Sequence, residues 1–268
     1  MDLKLLVIGG GRMGSALVSG LIASNWCSPD QIGIVESSNA RREELLESIP
    51  GLNIFEEPTR ECVVGSEGVV LAVKPDDAEG VCRKLNSLGM KRLLSIVAGL
   101  STPRLEASSG HETVVIRAMP NTAALVGEGM TAISGGSNAN STDLDWAQEV
   151  LSSVGTVVRL PERHLDAVTG LSGSGPAYVF LVVESLIEAG VLAGLSREVS
   201  HLLAVQTLVG SAALLRSTGM NPELLRAEVT SPGGTTAAGL RVLEAQAVRS
   251  AFIEAVMTAS ERSRNLQR

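Results

Sequence analysis

The chain has 268 residues, enough for one large domain or two of ordinary size, and 44% of them are hydrophobic, so it can bury a substantial core. Aromatic residues make up only 2% and the formal net charge is −7. These values argue against nucleic-acid partners and an anionic membrane surface, because few rings are available for base stacking and an acidic surface repels phosphate. Cys27, Cys62 and Cys82 form no C-x-x-C pair. That pattern is typical of reduced thiols in a cytoplasmic protein, and it indicates neither a disulfide framework nor a metal site.

The first 22 residues predict a strand, a tight turn and a helix. An apolar run ending at Ile8 suits a buried parallel strand, and Gly9, Gly11 and Gly14 follow in the G-x-G-x-x-G spacing. That spacing provides a sharp turn, close approach to a pyrophosphate and close packing of helix on strand. The helix N-terminus would face the turn and attract an anion. The alternative is a glycine turn that binds nothing.

A second apolar run, residues 32–35, supports the nucleotide interpretation because it ends at Glu36. A dinucleotide fold places the acid that holds the adenosine ribose about 20 residues after the glycines. Glu36 favours an unphosphorylated ribose. A 2′-phosphate could instead be held by Ser37, Ser38, Arg41 and Arg42. Both NAD and NADP remain open as the cofactor.

Apolar runs and helical stretches alternate as far as Pro161, which predicts an α/β fold with a Rossmann-type, doubly wound parallel sheet. After Pro161 the strand signals stop and every later segment is helical. We therefore expect a dinucleotide-binding domain over residues 1–161 and an all-helical domain over residues 162–268. Ligands bind beyond the carboxyl ends of such strands. The strand ends are the Gly9 turn, Ala72-Val73-Lys74-Pro75, Ala98-Gly99 and Met119-Pro120-Asn121. Lys74 could equally be a solvated strand end, and Asn121 an ordinary turn residue.

Two long helices in the second half, expected over residues 176–192 and 197–216, are apolar nearly all round. Such helices must be buried on all sides, and one small domain can hardly enclose two of them. We expect a second subunit to cover them, in an obligate homo-oligomer. Glu184 and Glu188 argue against a membrane span through the first helix, because each carboxylate is costly at a bilayer centre.

Two segments of the second half, residues 172–176 and 231–236, combine hydroxyls, glycines and a helix N-terminus. Such a combination can hold the carboxylate of a small substrate, although capping turns have the same composition. The four lysines all lie at or before Lys91, so the helical half offers no lysine as acid and base. The reaction should then need only hydride delivery and a modest proton donor, as in the reduction of an imine.

Six motifs carry a resemblance to a known family over essentially the whole chain. They are GGGRMG (9–14), AVKP (72–75), RAMPNT (117–122), LSGSGPAY (171–178), SPGGTT (231–236) and VLE (242–244). The chain resembles Δ1-pyrroline-5-carboxylate reductase. The resemblance implies NAD(P)H-dependent reduction of L-1-pyrroline-5-carboxylate to L-proline, the last step of proline biosynthesis. It also implies a homodimer interlocked through the helical domain, which is often assembled further into a ring of dimers.

The same resemblance assigns roles to individual residues. It implies that the substrate is bound by Ser174, Gly175, Ser231, Gly233, Gly234 and Thr235, and that Thr236 hydrogen-bonds the ring nitrogen as the proton donor. It implies that the cofactor is bound by Gly9, Gly11, Arg12, Met13, Gly14, Glu36, Ser37, Ala72, Val73, Lys74, Pro75, Ala98, Gly99 and Asn121. Family enzymes commonly prefer NADPH, and Glu36 departs from what a strict NADPH enzyme would carry.

Two alternative functions are another NAD(P)-dependent reductase of a small carboxylate-bearing substrate and a non-catalytic dinucleotide sensor.

Overall fold

A computed structural model describes residues 2–266 and contains two compact units. The first unit comprises the chain as far as Gly173 together with the residues from Ala259 onward, and the second runs from Ser174 to Thr258. The C-terminal segment belongs to the first unit through contacts such as the 2.7 Å hydrogen bond from Ser263 Oγ to Asp166 Oδ1. The domain boundary expected after residue 161 stays a prediction.

The strands of the first unit form one eight-stranded sheet in the order β3-β2-β1-β4-β5-β6-β7-β8. Their bounds are β1 Leu5–Ile8, β2 Ile32–Val35, β3 Asn53–Phe55, β4 Val69–Leu71, β5 Arg92–Ser95, β6 Val114–Met119, β7 Gly129–Gly135 and β8 Gly155–Arg159. All neighbours are parallel except β6 and β7. The doubly wound α/β fold is thus confirmed, with one antiparallel pair where only parallel pairs were expected. Residues 120–128, which join β6 to β7, are too few for the crossover that a parallel pair requires.

Both faces of the sheet are buried, as the continuous apolar runs predict. Leu5 and Val7 belong to the core on one face, whereas Leu6 and Ile8 belong to the core on the other. This division follows from the two-residue period of a strand, which turns successive side chains to opposite faces. The three cysteines lie in these two cores as free, buried thiols, so they behave as small hydrophobic side chains.

Helices pack on both faces of the sheet and make up the second unit. Their bounds are α1 Arg12–Ala23, α2 Asn39–Ser48, α3 Arg60–Val64, α4 Pro75–Ser87, α5 Thr102–Ser109, α6 Ser141–Ser152, α7 Leu165–Val168, α8 Gly175–Leu192, α9 Arg197–Thr218, α10 Pro222–Glu228, α11 Thr235–Ala245 and α12 Val248–Leu266. Helix α4 begins at Pro75, because proline suits the first helical position, and Asp76 and Asp77 fall in its first turn.

Helices α8 and α9 of the second unit expose most of their apolar surface within the single chain. Both are long and apolar enough to cross a membrane, by length and composition alone. In α8 only Ile187 is buried, and in α9 only Ser200 and Ala204. Leu192 is 89% exposed. An apolar surface of this extent marks a contact with another protein or a membrane.

Candidate active site

The carboxyl ends of β1, β2, β4 and β5 open onto one cleft of about 1330 Å³, formed within the first unit. Most of the residues expected to bind the cofactor line it. They are Gly9, Gly11, Glu36, Ser37, Ala72, Val73, Lys74, Pro75, Ala98 and Gly99. The cleft is large enough for an extended ligand, since pockets for drug-sized molecules run from about 300 to 1,000 Å³.

Each glycine of the turn after β1 has a distinct geometric role. Gly9 has φ +106°, and a Cβ there would lie 2.5 Å from the carbonyl oxygen of Ala72. A Cβ on Gly14 would overlap the carbonyl oxygen of Gly9, so Gly14 allows α1 to pack closely on the turn. Gly11 is the N-cap of α1, and a Cβ there would have no neighbour within 4 Å. The turn and the packing therefore require Gly9 and Gly14, whereas Gly11 leaves space beside the helix N-terminus.

This arrangement fits the pyrophosphate of a dinucleotide. The first N–H groups of a helix have no partner within the helix, and no side chain caps α1. These donors and the positive end of the helix dipole favour a bound phosphate. The open space at Gly11 lets the backbone approach the phosphate closely.

Glu36 lies at the end of β2, where its carboxylate is held by two main-chain donors. Glu36 Oε2 accepts from the Gly10 N–H at 3.0 Å, and Oε1 accepts from the Ser38 N–H at 2.8 Å. Gly10 belongs to the glycine turn, so the acid and the glycine turn are fixed to each other. An acid at this position is the feature that dinucleotide-binding folds use to hydrogen-bond the adenosine ribose.

The other side of the cleft is formed by the ends of β4 and β5. Lys74 is the exposed N-cap residue of α4, and Gly99 has φ +78°. Leu266, at the end of α12, also lines the cleft, and a Cβ on Gly99 would lie 4.0 Å from its Cβ. The sequence reasoning missed Leu266, because no local pattern indicates that the last helix returns to the sheet.

Four residues expected at the cofactor do not line the cleft. Gly14 is packed as described above, and Met13 packs against the core. Arg12 is exposed and lines a separate groove beside α1. The Asn121 amide joins two segments of the first unit, because Nδ2 donates to the Ser172 carbonyl at 3.1 Å and Oδ1 accepts from the Met130 N–H at 3.1 Å. Contact of Asn121 with the cofactor stays a prediction.

Residues 231–236 of the second unit form a turn and the first two residues of α11. The Gly234 N–H donates to the Ser231 carbonyl at 3.1 Å, and Gly233 has φ +71°. Gly234 is the N-cap of α11, with no side-chain cap. Ser231, Thr235 and Thr236 are exposed, so their hydroxyls are accessible to a ligand.

The segment containing Ser174 joins two helical stretches. Residues Thr169–Gly173 form a π-helical turn, and α8 begins at Gly175 with Pro176 in its first turn. Ser174 is the N-cap residue, and its side chain makes no capping hydrogen bond. Glycine and proline suggested a loop here, but proline is accepted in the first turn of a helix. Short π segments are frequent at functional sites.

Two regions of the chain match described families. Residues 162–266 match "Pyrroline-5-carboxylate reductase dimerisation", and residues 4–99 match "NADP oxidoreductase coenzyme F420-dependent". A pyrroline-5-carboxylate reductase from Synechocystis sp. is 43% identical over 268 residues, which cover 99% of each chain. The chain belongs to the pyrroline-5-carboxylate reductase family.

Solved structures agree with this family membership. A pyrroline-5-carboxylate reductase from Coxiella burnetii has a TM-score of 0.93 at 33% identity and covers 100% of both chains. A pyrroline carboxylate reductase from Plasmodium falciparum, solved with NADP bound, has a TM-score of 0.87 at 35% identity, over 100% of this chain and 99% of that one. The resemblance drawn from the motifs is thereby confirmed, and so is a nicotinamide cofactor.

Within residues 2–266, the histidines and the acid of the VLE motif lie outside the cleft. His111, His164 and His201 are all exposed, and none lines the cleft. No group of histidines, cysteines and acids within residues 2–266 could hold a metal ion. Glu244 of the VLE motif pairs with Arg249 at 2.7 Å. The hydrogen bond from Arg249 lowers the pKa of the Glu244 carboxyl, which makes it a poor proton acceptor.

Proposed function

We propose that this protein reduces L-1-pyrroline-5-carboxylate to L-proline with NAD(P)H, the last step of proline biosynthesis. The observation that carries the proposal is the 43% identity to a pyrroline-5-carboxylate reductase over 99% of each chain. The glycine turn, the cleft at the strand ends and the hydroxyl-rich segment before α11 support it.

The cofactor is bound chiefly by the first unit in this proposal. Reduced nicotinamide dinucleotide supplies a hydride when it is bound there. Gly9, Gly11 and the N-terminus of α1 bind the pyrophosphate, while Glu36 and Ser37 bind the adenosine ribose. The remaining residues proposed at the cofactor are Arg12, Met13, Gly14, Ala72, Val73, Lys74, Pro75, Ala98, Gly99 and Asn121.

The substrate is bound by the second unit. Main-chain N–H groups and hydroxyls surround its carboxylate, and the proposed residues are Ser174, Gly175, Ser231, Gly233, Gly234 and Thr235. The Thr236 hydroxyl donates a hydrogen bond to the ring nitrogen. A hydroxyl is sufficient here, because an imine nitrogen is basic enough to arrive protonated or to take a proton from a hydroxyl or water. Hydride addition at the imine carbon then yields the amine.

The direct test is to mix the protein with pyrroline-5-carboxylate and NADH or NADPH. We expect loss of the reduced nicotinamide absorbance and formation of an equal amount of proline, measured by chromatography. If the protein binds the cofactor but the absorbance does not fall and no proline forms, the proposal is contradicted. That result would favour a dinucleotide sensor.

Thr236→Ala tests the proposed donor. General acid catalysis contributes about 100-fold or more, so kcat should fall by about that factor while the cofactor Kd is unchanged. Thr218→Ala is the matched control, because Thr218 Oγ1 donates to the Leu214 carbonyl of its own helix. Unchanged turnover in the Thr236 variant would remove the donor from the mechanism.

We also propose a cytoplasmic homodimer formed through the second unit, with a ring of dimers as the larger assembly. The match of residues 162–266 to a dimerisation family and the exposed apolar surfaces of α8 and α9 support it. In this arrangement the second copy, rather than a membrane, covers the apolar helices. Light scattering should give a molar mass of two chains or a multiple of two, and a monomer would contradict the proposal.

A further inference from the structure

Glu36 is the residue of the cleft that bears most directly on which dinucleotide is bound. Its carboxylate lines the cleft and accepts hydrogen bonds from two main-chain N–H groups, those of Gly10 and Ser38. Main-chain donors on both oxygens, 3.0 and 2.8 Å away, keep the side chain from swinging away. A negative charge is therefore fixed beside the glycine turn.

Arg42 is one of the two arginines that could have offset this charge, but its donors are used elsewhere. Its Nη1 atom donates to the carbonyl oxygens of Glu36 and Ser37 at 2.9 and 2.8 Å. Its Nη2 atom donates to Asn39 Oδ1 at 3.1 Å and lies 3.6 Å from Glu56 Oε2. The guanidinium thus stabilises the turn after β2 and does not line the cleft.

Arg41 is held in a similar way. Its Nε atom donates to the Gly10 carbonyl at 2.8 Å, its Nη2 atom donates to Ser15 Oγ at 3.0 Å, and its Nη1 atom pairs with Glu44. Arg41 lines the separate groove beside α1 and not the cofactor cleft. Neither arginine lines the cofactor cleft, and both guanidinium groups already donate hydrogen bonds to protein atoms.

The cleft also contains cationic side chains, and two of them form close ion pairs with acids. Lys84 Nζ lies 2.7 Å from Glu57 Oε2, and Arg104 Nη2 lies 2.8 Å from Glu79 Oε1. A further acid, Glu56, lines the cleft near the end of β3. The other charged residues that line the cleft are Lys74, Asp76, Asp77 and Arg83.

We propose that Glu36 makes this protein select NADH over NADPH. The inference rests on the proposed function only in that the cleft binds a nicotinamide dinucleotide. A fixed carboxylate accepts hydrogen bonds from both hydroxyls of an unphosphorylated ribose. A 2′-phosphate replaces one donor by a group carrying a charge of about −2 and acceptor oxygens only, so it meets the carboxylate with repulsion.

The experiment measures binding of adenosine fragments to the full chain by calorimetry, which requires no catalysis. The probes are 5′-ADP and 2′,5′-ADP, which differ only in the 2′-phosphate, followed by NADH and NADPH. Losing a hydrogen bond to a charged group changes affinity by about 10- to 100-fold, so the unphosphorylated member of each pair should bind more tightly by that factor. Equal or tighter binding of the 2′-phosphorylated probes would overturn the proposal.

Glu36→Gln identifies the residue responsible. The variant keeps the size of the side chain but removes its charge, so the preference for 5′-ADP over 2′,5′-ADP should fall by about 10-fold. Glu43→Gln is the matched control, because Glu43 is an exposed acid of α2 that bonds only to Asn39 within residues 2–266. A preference that does not change in Glu36→Gln would overturn the role of this residue.

These outcomes are separable from failure of the reductase proposal. Discrimination between the two ADP fragments without any proline formation would leave the selectivity proposal intact and reject only the reaction. The comparison on the unmodified protein also remains decisive if the Glu36 variant fails to fold.

Discussion

Gly11→Ala is the substitution that best separates cofactor binding from folding. Gly11 is the N-cap of α1 with φ −68° and ψ −174°, a conformation that alanine adopts without strain. The added methyl group would meet no atom within 4 Å, and alanine in place of glycine at an N-cap costs about 0.5–1 kcal/mol of stability. The protein should therefore remain folded, with only a small loss of stability.

The same methyl group would enter the space that a pyrophosphate needs. Each hydrogen bond to a charged phosphate contributes about 1.5–3 kcal/mol, so displacing two of them costs at least about 3 kcal/mol, or about 100-fold in affinity. Calorimetric titration with NADH and thermal unfolding of the free protein measure the two effects separately. Ser19→Ala, an exposed change on the same helix, is the control.

Gly9→Ala should give the opposite pattern. Its methyl group would lie 2.5 Å from the Ala72 carbonyl oxygen, and residue 9 has a φ of +106°. The free energy of unfolding of this variant should therefore fall markedly, even without cofactor. The reasoning is refuted if Gly11→Ala binds NADH as tightly as the unmodified protein, or if it loses as much stability as Gly9→Ala.

Two further predictions concern buried groups. Glu162 Oε1 accepts from Arg117 Nη1 at 2.8 Å and from the Thr102 N–H at 2.7 Å, and Arg117 is only 1% exposed. Glu162→Gln should therefore lower the free energy of unfolding, measured by urea denaturation, by about 3 kcal/mol. A loss no larger than that of Glu188→Gln, which breaks an exposed pair, would contradict this. Burial raises the pKa of the Cys82 thiol above its ordinary value of 9.0, so iodoacetamide should alkylate the native protein far more slowly than the unfolded chain. The stability gained by keeping this thiol neutral should be present below pH 9.0 and decline as the pH rises above it, and rapid alkylation of native protein at neutral pH would contradict the assignment.

The sequence was sufficient for the parts of the fold that local patterns encode. The apolar run of β1, the glycine spacing and the acid at residue 36 each reflect a local requirement, and the structure places Gly9, Gly11 and Glu36 around one cleft. The strand ends at Lys74 and Gly99 follow the rule that parallel strands present their carboxyl ends at the same edge. These residues needed no long-range information beyond the alternation of strand and helix.

Other features depend on contacts between distant segments, which local patterns do not contain. The return of α12 brings Leu266 to the cleft, and the Asn121 amide joins Ser172 to Met130. The π-helical turn before α8 consists of residues that also favour a loop, so composition alone could not distinguish the two. The hydrogen bond from Arg41 to the Gly10 carbonyl is a similar case, because it depends on how α2 packs against the glycine turn.

The most direct test of the proposed mechanism is a crystal structure of the assembled protein with reduced cofactor and a substrate analogue. We expect the Thr236 hydroxyl at a hydrogen-bonding distance of about 2.8 Å from the ring nitrogen, with no lysine, histidine or carboxylate closer. A titratable side chain at that nitrogen, with Thr236 directed elsewhere, would contradict an uncharged substrate site.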